Sequence, residues 1–171
     1  MSEIDNIKKL MNEKQMQFRD FKLTKIETRQ DESNTEYLEL EGMACVFNTS
    51  TILYKGKYYE LQEKIASTAF DGADMSDVIF NYNHCGTVFA RTRNNSLELS
   101  VDEKGLKIKA IMRKCDRNQL FYDDIKEGLI DKMSFAFTVQ ESSYEIIERS
   151  DDVDVEIRTV TKIDKVYDVS A

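Results

Sequence analysis

The chain has 171 residues, 41% of them hydrophobic, enough for one domain with its own core and without any sign of a second. Its formal charge of −8 has no basic face concentrated within it, which argues against a dedicated nucleic-acid binder. No run approaches the ~20 apolar residues of a membrane span, the N-terminus lacks a signal-peptide core, and Cys45, Cys85 and Cys115 fit neither a disulfide framework nor a zinc pattern, so a soluble cytoplasmic protein with reduced thiols is expected.

Ser2 is an N-cap candidate for a first helix in which Ile4, Ile7, Leu10 and Met11 share a face. Charged and Gln-rich residues dilute the pattern up to Lys22, so residues 1–22 are expected to form a helical or mobile arm and residues 23–171 the domain proper. Strands are predicted from Tyr37 to Glu41, with a bend at Gly42, then from Met43 to Phe47, and after a loop from Tyr58 to Ile65. Ser67 to Asp77 reads as a helical turn, and Val78 to His84 as an apolar strand that ends on a histidine. Leu97, Leu99 and Val101, then Leu106, Ile108, Ala110 and Met112, alternate with polar residues around Asp102-Glu103-Lys104-Gly105, which predicts a β-hairpin. A helix follows, capped by Asp116, with Gln119 completing a capping box, Leu120, Phe121 and Ile125 inward, and Gly128 at its end. Met133, Phe135, Phe137 and Val139 then alternate with Ser134, Ala136 and Thr138, and the last strands run from Val153 to Val160 and from Ile163 to Val169. Many strands with few helices predict a mainly β protein: a closed, mostly antiparallel β-barrel with peripheral helices.

His84 is the sole histidine, the one side chain whose ordinary pKa lies near neutrality, and it stands at the end of an apolar run. Its functional reading is a proton shuttle; its plain reading is an ordinary half-buried side chain. A serine needs a base to become a nucleophile, and that base works best when a third group fixes its tautomer. Ser134 stands out for lying on the small, polar face of a bulky strand, although a simply solvated face would give the same pattern. Cys85 beside His84 invites a cysteine-protease reading, which adjacent strand positions oppose by pointing to opposite faces.

The run Glu39-Leu-Glu-Gly-Met-Ala-Cys-Val-Phe-Asn48 resembles the "EGYAxVFN" opening of the HK97-type prohead proteases, the capsid-maturation serine proteases of tailed phages. In order along the chain, Glu63-Lys64-Ile65 with Ala69-Phe70 resembles "E-x-I-x-x-GAF", Asn83-His84 resembles "NHD", and Ala90-Arg91-Thr92 resembles "LART". Leu97 to Leu106 resembles "TLxLxxDxxGL", Met133 to Phe137 "MSFGF", and Tyr167 to Ser170 "YEVS". The similarity covers roughly residues 36 to 170, and its specificity lies in the order and spacing of the motifs. It departs at Cys85, Thr68 and Ala136, which stand where the family has Asp, Gly and Gly, and at Ala171, where a "PAY" segment and tail would follow; a trimmed or processed form is therefore expected.

The resemblance implies a fold related to the herpesvirus assemblin proteases and a serine endopeptidase with His84 as base, Ser134 as nucleophile and Asp168 as the acidic third member. Arg91 is the candidate oxyanion or substrate support, with pairing to a surface carboxylate as its alternative. The implied partner is the major capsid protein with its scaffolding region, cut inside the prohead in the host cytoplasm, with self-cleavage and self-association in addition. No cofactor, metal, nucleic acid or membrane is expected. The competing reading is a catalytically inactive or latent capsid-assembly module of the same family.

Overall fold

The computed structural model describes residues 15–20, 23–148 and 153–171. The helix expected from Ser2 lies outside the described residues, whereas part of the expected arm, Gln15–Asp20, is a strand, β1.

The remaining elements are β2 (Leu23–Gln30), β3 (Glu36–Val46), β4 (Thr51–Lys55), β5 (Tyr59–Ile65), β6 (Ile79–Tyr82), β7 (Cys85–Arg91), β8 (Leu97–Val101), β9 (Gly105–Arg113), the helix α1 (Asp116–Lys126), β10 (Lys132–Glu148) and β11 (Asp154–Ser170). They form two sheets. One runs β2-β3-β9-β8, antiparallel throughout. The other runs β1-β10-β11-β5-β4, with β6 and β7 attached to the C-terminal end of β11.

The alternating residues explain the first sheet. Leu38 and Leu40 of β3 and Leu106, Ile108, Ala110 and Met112 of β9 bury one face, while Lys25, Glu27 and Arg29 keep the β2 edge charged and exposed. Gly105 opens β9 where it crosses β3: its φ is +155°, and an added Cβ would lie 1.9 Å from the Cys45 carbonyl oxygen, so only glycine fits.

In the second sheet β11 is the hub. Its first half pairs with β5 in parallel from Asp154 to Val160, and its end pairs with β6 in parallel from Asp168 to Ser170. The two final strands expected from sequence are one, because register shifts in the β10–β11 ladder between Ala136 and Ser142 absorb the irregularity around Thr161 without breaking it. Phe135 and Phe137 stack at 4.5 Å and point into a core shared with Phe70, Val160, Ile163 and Val166.

Among the described residues neither sheet closes into a barrel, which corrects the expectation of closure. β1, β4 and β7 end branches of one sheet, and β2 and β8 flank the other. Alternation requires only that each strand have a buried face, and two facing sheets meet that condition as well as a closed one. The mainly antiparallel, mainly β reading holds.

α1 also differs in detail. Its N-cap is Cys115 rather than Asp116, no side chain caps it, and Gln119 bonds forward to Asp123 at 2.8 Å. Asn118, Phe121, Tyr122 and Ile125 set the inner face; Leu120 falls off that arc and is 68% exposed. Gly128, with φ +75°, ends the helix as expected and turns the chain toward β10. The Phe121 ring stacks on Phe89 at 3.9 Å and meets Phe80 at 5.7 Å, so α1 sits on the β6–β7 hairpin.

Candidate active site

His84 is not the last residue of a strand. Tyr82 pairs with Cys85, leaving Asn83-His84 as a two-residue turn with φ of +49° and +55°. Two successive positive φ values are the signature of the type I′ turn that matches strand twist, and Asn and His are among the few side chains that enter this region readily. The turn is held against the end of β11: Asn83 N–H donates to the Ala171 carbonyl at 3.0 Å, and His84 N–H to Ser170 Oγ at 2.9 Å.

The ring is fixed as well. His84 Nδ1 lies 2.5 Å from Asp168 Oδ1, and the two side chains are 3% and 6% exposed. An ionised carboxylate only accepts, so this contact selects the tautomer with the proton on Nδ1 and leaves the Nε2 lone pair to act as a base.

Ser134 belongs to the same face. In the β10–β11 ladder Ser134 is opposite Ser170 and Ala136 opposite Asp168, with no register shift between the two pairs. Directly opposed side chains share a face, as do alternate ones, so Ser134, Ser170, Asp168 and the small Ala136 form one patch. That patch is covered rather than solvated: Ser134 is 2% exposed, and its Oγ has no hydrogen-bond partner among the described residues. A buried hydroxyl left without a partner forfeits roughly 1–3 kcal/mol, a cost that a functional site can carry.

A cleft of about 260 Å³ opens at Ser134, lined also by Ser170, Asn83, Tyr82, Ile130 and Lys132. It adjoins a larger apolar cavity of about 470 Å³ that shares Tyr82, Leu129 and Ile130 and has Phe89 and Phe121 in its wall.

Arg91 is placed elsewhere. Across the sheet the register runs Ala136, Asp168, Ile79, Arg91, so Arg91 stands three strand spacings, ~14 Å, from the strand of Ser134. Its guanidinium grips Asp77 in a fork, Nε to Oδ1 at 2.6 Å and Nη2 to Oδ2 at 2.7 Å, which holds the Asp77 carboxyl below its ordinary range. This is the surface-carboxylate pairing. Cys85 is an exposed free thiol, and the His84 ring is already held by Asp168.

Sequence reasoning overlooked Ser170, which links the histidine turn to the strand opposite Ser134. The spacing of Asp168 and Ser170, alternate residues of one strand and hence on one face, was the signal for it.

A serine, a histidine and a buried carboxylate gathered at one end of a β10–β11 ladder have the composition of a serine-hydrolase triad. The model of the caudovirus prohead serine protease family matches residues 24–171, and the chain belongs to that family. No curated protein and no solved structure matches it. Membership makes it a phage capsid-maturation protease of the serine class in general, a protein that interacts with phage capsid proteins within the prohead in the host cell. No helix among the described residues is long and apolar enough to cross a membrane.

Proposed function

We propose that the chain is the endopeptidase that removes the scaffolding region from the major capsid protein and also cuts itself, with Ser134 as nucleophile, His84 as general base and Asp168 as the group that orients it. The observation that carries this reading is the 2.5 Å contact between His84 Nδ1 and Asp168, on the face that Ser134 shares.

In this mechanism His84 Nε2 takes the Ser134 Oγ proton as Oγ attacks the peptide carbonyl carbon. Collapse of the tetrahedral intermediate breaks the C–N bond, and the imidazolium returns the proton to the departing amine. Water then repeats the sequence on the acyl-enzyme: His84 takes its proton, the acid leaves, and the Ser134 hydroxyl is restored. Asp168 stabilises the imidazolium in both halves. Because Asp77 engages Arg91, the oxyanion is not routed through that side chain. The cleft at Ser134 accepts the scissile bond, and the adjoining apolar cavity suits a large hydrophobic side chain of the substrate.

The test is intact-mass analysis of the major capsid protein of the same phage after co-expression with this chain or with its Ser134→Ala form. Ser134→Ala is expected to abolish the processed species; undiminished processing overturns the assignment.

A further inference from the structure

At Ser134 the main chain of β10 has two sides. One carries β11, with Ser170 opposite Ser134; the other carries β1, with Phe18 opposite Ser134 and antiparallel pairing from Gln15↔Phe137 to Asp20↔Lys132. The family match begins at residue 24, so β1 lies outside it. The part of the chain that matches the family therefore leaves one edge of β10, Lys132–Phe137, without a strand along the proposed nucleophile.

An open edge of this kind recruits extended peptides. Main-chain hydrogen bonds to a strand edge give affinity with little demand on sequence, and pockets beside the edge then select side chains. A peptide paired along Lys132–Phe137 would run one strand spacing, ~4.8 Å, from the backbone of Ser134, next to the cleft that Ser134 lines. The opposite side is closed by β11, which carries Asp168 and cannot leave without dismantling the site.

We propose that Lys132–Phe137 of β10 is the edge on which the backbone of an extended substrate peptide docks, and that β1 occupies it in cis as an autoinhibitory strand. The inference rests on the protease reading above. β1 is six residues long, bonded along one side, and joined through residues 21 and 22 to β2 in the other sheet. That short tether gives it a high effective concentration at the edge. A substrate segment must displace it, so cleavage is restrained until substrate is concentrated, as it is within an assembled shell.

The test uses the full chain and a Gln17→Pro/Phe18→Pro double variant. Neighbouring residues of an edge strand point their N–H groups to opposite sides, so one of the two prolines removes a donor to β10. Amide hydrogen exchange of residues 132–137 is expected to quicken in the variant, at the amides that faced β1 alone. Processing of co-expressed capsid protein is expected to rise by about tenfold, equivalent to weakening the internal strand by about 1.4 kcal/mol. Labelling of Ser134 by a small fluorophosphonate, which needs no strand edge, is expected in both forms. No labelling in either form overturns the protease reading and this inference with it. Labelling in both, with processing unchanged or reduced in the variant, overturns the inference alone, as does exchange that does not differ between the two forms.

Discussion

The ring of His84 and the backbone of His84 are held by different residues of β11, and substitution separates the two. Asp168 fixes the ring through Nδ1, whereas Ser170 Oγ accepts the backbone N–H and steadies a turn whose two positive φ values cost of order 1–3 kcal/mol each. Asp168→Asn is expected to lower kcat for capsid-protein cleavage by roughly 10⁴-fold, because the amide favours the wrong tautomer. Ser170→Ala removes one ordinary hydrogen bond of about 1 kcal/mol, so it is expected to lower kcat about fivefold with KM unchanged. Equal losses in the two variants, read by steady-state kinetics, would contradict the division of labour. At this scale Ser134 was legible as a residue on a small-sided face, but its burial was not. A large-and-small alternation looks the same whether the small face meets water or is covered, as Ser134 is here.

The hairpin of β10 and β11 brings Ser134 and Asp168 together, and what anchors that hairpin is a buried ion pair. Arg158 of β11 and Glu63 of β5 are register partners, 1% and 0% exposed in their side chains, with Nη1 3.2 Å from Oε2. Removing one member takes from the other its buried counter-charge. Arg158→Ala is therefore expected to destabilise the fold by about 3–5 kcal/mol, and Arg158→Met with Glu63→Leu, which removes both charges at similar volume, by much less. Urea midpoints of the three proteins measure this; a double variant as unstable as the single one would assign the loss to packing instead. Strands with clean alternation, such as β8 and β9, were readable at this scale. β7 and β4 were not, because Cys85-Gly-Thr-Val-Phe-Ala-Arg91 and Thr51-Ile-Leu-Tyr-Lys55 have largely half-exposed faces and no simple period.

Over the whole molecule, the sequence carried the strand-rich class and the order of its motifs, but not whether the sheets close, since closure depends on strand number and shear that alternation does not encode. Long-range charge pairs then pin the segment before β6 onto the sheet built around β11. Lys165 donates to Asp74 at 2.8 Å, linking the segment before β6 to β11, and the Arg91 fork on Asp77 links that segment to β7. The hydrogen bond from Lys165, reinforced by Ser76, holds the Asp74 carboxyl well below its ordinary value of 3.8, and the bond from Arg91 lowers that of Asp77. Depressed carboxylates bind fewer protons in the folded chain than in the unfolded one, so their contribution is present above 3.8 and is lost as pH falls through the lower folded values. Asp74 is exposed and Asp77 half-buried at the surface, both within reach of salt screening, so the effect is modest. An Asp74→Asn/Asp77→Asn variant is expected to have a lower urea midpoint than the native chain at neutral pH. The gap should narrow toward zero on acidification below 3.8, because the native carboxylates then lose the charge that the variant never had. A gap that persists undiminished into strong acid would mean that these links act through shape rather than charge.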